Sequence, residues 1–126
     1  MKLADTCVWI EALSDTATGQ AYKKLLAEPQ KLLVSTMVVY ELRQWLARNM
    51  DGEAADEFML LVLTAEVVAP ESSIGLHAAE LAVTHKLHAL DALIYATALE
   101  HNAELVTCDA HFKGLPGVDY TAKLKA

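Results

Sequence analysis

The chain has 126 residues, 54% of them hydrophobic, and a formal net charge of −7. That length supports one domain with a real core, and that hydrophobic content excludes a disordered chain. No apolar run approaches the ~20 residues of a membrane span, and the acidic balance excludes nucleic-acid binding driven by bulk charge while leaving open an acidic site neutralised by metal ions.

Lys2 to Asp5 reads as a short first strand. It meets an acid at once, so no signal peptide is expected. Thr6 caps a helical stretch from Cys7 to Leu13. Ser14-Asp15 is a break, and Thr18-Gly19 looks like a second helix start. Ala21 to Ala27 is helical with Lys23 and Lys24 exposed, and Pro29 follows its end. Lys31 to Ser35 is a strand with a continuous apolar run, the pattern of a strand covered on both faces.

Ser35 or Thr36 caps the next helix, Met37 to Asn49, whose Val38, Leu42, Trp45 and Leu46 fall at helical spacing. Glu41 sits one turn in, beside that stripe. Asp51-Gly52 breaks the helix. Glu53 to Leu63 is another, with Phe58, Leu61 and Val62 on one face. Thr64 to Ala69 is a short strand stopped by Pro70. Glu71 to Lys86 is helical, and Leu87-His88-Ala89 turns into the stretch Leu90 to Leu99. That stretch is apolar on almost every side, so a helix there must be covered on most sides. Its first turn nevertheless carries Asp91, where the helix dipole and free N–H groups favour an acid.

This helix ends near His101-Asn102, and Ala103 to Thr107 is a strand closed by Cys108-Asp109. His111 to Gly117 is a loop, Val118 to Tyr120 a last short edge strand, and Thr121 to Ala126 a tail. There is no internal repeat, low-complexity tract or linker, so residues 1–126 form a single domain. Strands alternating with helices imply a parallel sheet with helices on both faces. In such α/β folds the ligand site lies beyond the carboxyl ends of the strands. Asp5, Glu41, Asp91 and Asp109 all fall where they can face that one edge.

Several carboxylates in a small pocket repel one another, and a divalent cation removes the conflict. Oxygen ligands without His or Cys suit Mg²⁺ or Mn²⁺ better than zinc. The chemistry such a site supports is phosphodiester hydrolysis.

The acidic blocks carry a resemblance. Asp5-Thr6 at the end of an N-terminal strand resembles the opening motif of PIN-domain nucleases. Glu41 in YELRQWL, Asp91 in LDALIYATAL and Asp109 in VTCDAHF resemble that family's other acidic blocks, in the same order. Length and the closing HFKGLPGV resemble the VapC toxins of toxin–antitoxin pairs. The resemblance implies a three-layer α/β/α PIN-like fold with sheet order 3-2-1-4-5. It also implies a cytoplasmic Mg²⁺- or Mn²⁺-dependent endoribonuclease that forms a homodimer and is inhibited by a small VapB-like antitoxin. Carried over by position, Asp5, Glu41, Asp91 and Asp109 are the catalytic acids. Asp5, Asp91 and Asp109 are the metal ligands, and Thr6 and Thr107 are supporting hydroxyls. Many family members have Asn or Ser where Cys7 stands, so Cys7 is given no catalytic role.

The remaining polar residues have plainer readings. His85, Lys86, His88, His111 and Lys113 are solvated loop residues first, with contact to RNA phosphates the alternative. Lys123 and Lys125 belong to the tail. Arg43 and Arg48 pair with acids or reach RNA. Trp9, Trp45 and Tyr40 are core or interface residues more than base-stacking platforms, and Tyr95 is packing. Cys7 and Cys108 are too few for a disulfide scaffold and lack zinc spacing. Strands 1 and 4 are neighbours in the implied sheet order, so both thiols lie near one edge; they are expected to be reduced thiols that never meet, in a reducing compartment, with a regulatory disulfide the alternative. Two rival functions stand beside the nuclease. One is a catalytically silent PIN-like binding domain, the other a receiver-like signalling domain. Receivers pair two acids after the first strand and present a late lysine; here Thr6 follows Asp5, and Cys108-Asp109 stands where that lysine would be.

Overall fold

The computed structural model describes residues 1–124. The sheet has five strands, β1 (Lys2–Ala4), β2 (Leu32–Ser35), β3 (Glu66–Val68), β4 (Glu104–Thr107) and β5 (Val118–Tyr120). Their order is β3-β2-β1-β4-β5, and every pairing is parallel. Six helices cover it, α1 (Thr6–Leu13), α2 (Ala17–Leu26), α3 (Thr36–Asn49), α4 (Gly52–Val62), α5 (Ser72–His85) and α6 (Ala89–Glu100). This is the three-layer arrangement expected, with β1 in the centre and β5 at one edge. β2 is buried at all four positions, as its unbroken apolar run requires of a strand covered on both faces. Among the described residues no helix is long and apolar enough to cross a membrane.

Capping decides where the helices begin, and it corrects several boundaries. Asp5, not Thr6, is the N-cap of α1, and its carboxylate accepts the Thr6 N–H at 2.8 Å. Thr16 caps α2 by accepting the Gly19 N–H at 2.9 Å, so this helix starts before Thr18-Gly19. Gly19 is a close-packing position inside the helix, not a turn. A Cβ there would lie 2.0 Å from the Glu11 carbonyl oxygen, so α1 and α2 meet only because this residue has no side chain. Ser35 is the cap of α3, through the Val38 N–H at 3.2 Å.

α6 is buried along most of its length, at Ala92, Ile94, Tyr95, Ala96, Thr97 and Ala98. Its small residues let α5 pack closely on one side while the sheet lies on another. Tyr95 is packing, as expected, with its hydroxyl donating to the Pro116 carbonyl and its ring edge-on to Phe112. Phe112 is fully buried. It reaches the core because residues 110–112 form a 3-10 turn, where a loop was expected. Trp9 is buried and Trp45 half-buried, but Tyr40 lies outside the core, 55% exposed. The segment after β5 is not a loose tail over residues 121–124. The Thr121 N–H donates to the Thr107 carbonyl at 3.0 Å, the Leu124 N–H to the Thr18 hydroxyl at 2.8 Å, and Lys123 pairs with Glu11. Lys125 and Ala126 lie outside the described residues.

Candidate active site

The register of the sheet places the first and last acids side by side. Ala4 of β1 pairs with Val106 of β4, and the Asp5 N–H donates to the Val106 carbonyl at 2.9 Å. The two chains then diverge, β1 into α1 and β4 into the 3-10 turn, each leaving an acid at the carboxyl edge. Thr107, fully buried, stands between them. Its hydroxyl donates to Asp5 Oδ2 at 2.7 Å and accepts the Asp109 N–H at 3.0 Å. Thr6 performs a parallel task toward the other neighbour, donating to Glu41 Oε1 at 2.8 Å. Each hydroxyl therefore holds a carboxylate of the pocket in place.

The four acids sense one another. Asp5 is only 4% exposed. Burial pushes its carboxyl up to about 6, against the hydrogen bonds from Thr107 and Thr6, with the charges of Asp91 and Glu41 adding to the rise. Half-buried Asp91 is also raised, first by burial and then by Asp109 and Glu41, with His111 and His88 acting the other way. Among the described residues no Lys or Arg forms an ion pair with Asp5, Glu41 or Asp91. Arg43, on the helix of Glu41, turns to Asp56 instead.

Two further residues join the pocket. His111, read first as a solvated loop residue, lies with Asp91 and Asp109 so that one potential ligand atom from each falls within 4.8 Å of the others. Asp5 and Glu41 stand outside that tight group. The His111 Nδ1 is 2.8 Å from Asp109 Oδ1, and the His111 backbone N–H donates to the same oxygen at 2.9 Å, so His111 orients Asp109. His88, the residue before α6, has its ring 6.0 Å from that of His111. The signal for His111 was its place two residues after Asp109, the span of a side chain folded back on a turn.

Cys7 is the second. Its thiol donates to Asp5 Oδ2 at 3.6 Å, lies 3.4 Å from the Thr107 hydroxyl and accepts the Cys108 N–H at 3.3 Å. The expectation that the two cysteines never meet is therefore wrong. The first turn of α1 brings Cys7 to Cys108. Neighbouring Cys108, then burial, pushes the Cys7 thiol far above the usual range, and Cys7 in turn holds Cys108 below it.

The acids at the carboxyl edge of the parallel sheet are hard oxygen donors, and among the described residues no Lys or Arg pairs with Asp5, Glu41 or Asp91. Those donors fit Mg²⁺ or Mn²⁺, and they define the class as an acidic-pocket α/β domain. Sheet order separates it from receiver-like domains, which follow 2-1-3-4-5.

The chain belongs to the PIN domain family, whose model matches residues 2–118. Solved structures agree. A toxin–antitoxin complex from Klebsiella pneumoniae contains a chain 26% identical, with a TM-score of 0.80, covering 94% of this chain and 96% of that one. VapC20 of Mycobacterium tuberculosis, a sarcin–ricin loop cleaving toxin, is 20% identical with a TM-score of 0.76 over 92% of this chain and 95% of that one. VapBC-1 of nontypeable Haemophilus influenzae contains a chain 22% identical, with a TM-score of 0.72 over 96% of each. A comparison by sequence with curated proteins gives no match.

Proposed function

We propose that this chain, acting as one domain over residues 1–126, is a Mg²⁺- or Mn²⁺-dependent endoribonuclease and the toxin of a cytoplasmic toxin–antitoxin pair. The observation that carries the reading is the pocket itself, in which Asp5, Glu41, Asp91 and Asp109 gather at one sheet edge, with no Lys or Arg ion pair to them among the described residues, while Thr6 and Thr107 fix the first two and the last. Family membership and the toxin–antitoxin complexes among the structural neighbours support the same reading. A small VapB-like antitoxin is then the expected protein partner, and a homodimer the expected assembly.

In this reading Asp5, Asp91 and Asp109 hold the cation, which supplies Lewis-acid chemistry for phosphodiester hydrolysis when bound. Glu41 accepts the Thr6 hydroxyl on one oxygen and presents the other to the pocket as a proton acceptor. Thr107 keeps Asp5 and Asp109 at a fixed spacing, and His111 sets the plane of the Asp109 carboxylate. The rim histidines, His88 and His111, offer donors to an incoming phosphate, offsetting an acidic surface that otherwise repels RNA.

The test is cleavage of RNA by the purified chain with Mg²⁺ or Mn²⁺. EDTA is expected to stop cleavage, excess Mn²⁺ to restore it, and Asp91→Ala to abolish it. Full activity in Asp91→Ala, or in EDTA, overturns the assignment. Co-expression of a small protein encoded beside this one is expected to relieve any growth defect.

A further inference from the structure

The thiol pair at the floor of the acidic pocket has no place in hydrolysis, yet the fold brings it together from residues a hundred positions apart. Cys7 Sγ lies 3.3 Å from the Cys108 backbone nitrogen, whose N–H it accepts. Both are free. Cys108 is 4% exposed, while Cys7 is half-buried. They share an open cavity of about 510 Å³ with Asp109, Tyr120 and Lys123, wide enough for a small oxidant. Neighbouring parallel strands lead directly into the two residues, through the Ala4 to Val106 pairing.

We propose that Cys7 and Cys108 are an oxidative modification site, closing to a disulfide that ties the first turn of α1 to the exit of β4 and reversibly shuts the acidic pocket. The second half of this statement rests on the nuclease reading; the first does not.

With hydrogen peroxide as oxidant, one thiol sulfur attacks an oxygen of the peroxide. An S–O bond forms, the O–O bond breaks, and water leaves with the thiol proton, giving a sulfenic acid. The second sulfur then attacks the first, and the S–O bond breaks. The hydroxyl departs as water with the second thiol's proton. Two thiols and one peroxide thus give one disulfide and two waters, with sulfur oxidised and peroxide reduced. A low-molecular-weight dithiol reverses the bond by exchange.

Closure bears on the pocket through three contacts. The Cys7 thiol loses the proton it donates to Asp5 Oδ2. Its sulfur is drawn from the Thr107 hydroxyl toward Cys108, disturbing the group that holds both Asp5 and Asp109. The backbone N–H of Cys108, which leads directly to Asp109, gives up its sulfur acceptor. Groups that orient metal ligands in this way change affinity or activity by about 10–100-fold when disturbed.

The experiment treats the purified full chain with hydrogen peroxide, removes the excess with catalase, and divides the sample. One part is unfolded, alkylated and digested without reductant. A peptide containing Cys7 joined to one containing Cys108 is expected, with neither thiol alkylated. The second part is assayed for Mn²⁺-dependent RNA cleavage, expected to fall about tenfold or more and to recover with dithiothreitol. The third is melted with and without Mn²⁺, and oxidation is expected to remove the rise in Tm. Cys108→Ser, with Cys108→Ala as a second variant at this buried position, is expected to keep both readouts under oxidant. Two alkylated thiols after oxidation overturn the proposal, as does a complete cross-link that leaves cleavage and the Mn²⁺ shift unchanged. If the reduced chain cleaves no RNA, the nuclease reading fails, while the joined peptide and the Mn²⁺ melting shift still decide the thiol proposal.

Discussion

The buried charge of Asp5 makes a stability prediction whose sign depends on pH. In the folded chain without metal, its carboxyl stands at about 6 against an ordinary 3.8, chiefly through burial. The folded state therefore binds the Asp5 proton more tightly than the unfolded state does. Below pH 3.8 both states carry the proton, and Asp5 imposes no penalty. Between there and about 6 the unfolded state has released it and the folded state has not, so stability falls as pH rises. Above about 6 the full penalty persists, of order 3 kcal/mol for that difference in proton affinity. Asp5→Asn removes the charge and keeps an acceptor for the Thr6 N–H, since Asn is as good an N-cap as Asp. It loses the acceptor of the Thr107 hydroxyl, about 1 kcal/mol, and the favourable charge at a helix N-terminus, about 0.3–1 kcal/mol. The net expectation in EDTA at pH 7.5 is a gain of about 1–2 kcal/mol, turning into a small loss at pH 4. Urea unfolding of both proteins from pH 4 to 7.5 measures it. The reasoning is refuted if the difference between them is the same at both ends of that range. With Mn²⁺ present the order is expected to reverse, because the wild type gains from binding and the variant does not.

Two further substitutions separate the site from its scaffold. Thr107→Val keeps the shape but removes the donor to Asp5 and the acceptor of the Asp109 N–H; it is expected to cost about 1–3 kcal/mol in urea unfolding and to weaken Mn²⁺ binding about tenfold in a melting titration. Gly19→Ala places a methyl against the Glu11 carbonyl; it is expected to cost about 1–3 kcal/mol by forcing α1 and α2 apart, while Mn²⁺ raises the Tm of the variant as much as that of the wild type.

Much of the fold was legible because its signals are local and repeated. The apolar run of β2 and the all-round apolarity of α6 each report burial that the structure shows directly, and Pro70 follows soon after the end of β3. Boundaries slipped where a residue type had two uses. Gly19 reads as a helix start because glycine punctuates turns, but here it serves the close approach of α1. Phe112 was absorbed into a loop because nothing in HFKGLPG shows the 3-10 turn that returns its ring to the core. Tyr40 falls near apolar helix positions, yet it is exposed on α3.

The pocket was legible in a different way. Parallel strands deliver their carboxyl ends to one edge, so acids that end strands or begin helices converge by topology alone. That argument fixes which residues share the edge, but not what lies between them. The hydroxyl of Thr107 links the Asp5 carboxylate to the backbone of Asp109 only because Ala4 and Val106 are in register, and no spacing along the chain encodes a register between strands a hundred residues apart. The same holds for Cys7. Alternation along β4 says nothing of Cys7, because the first turn of α1 is a helix and its side chains do not follow a strand's period. Cys7 therefore points back across the sheet edge, touching Asp5, Thr107 and Cys108 together. A position whose thiol contacts both the acidic pocket and a second thiol couples the pocket to oxidation through geometry that only the folded chain creates.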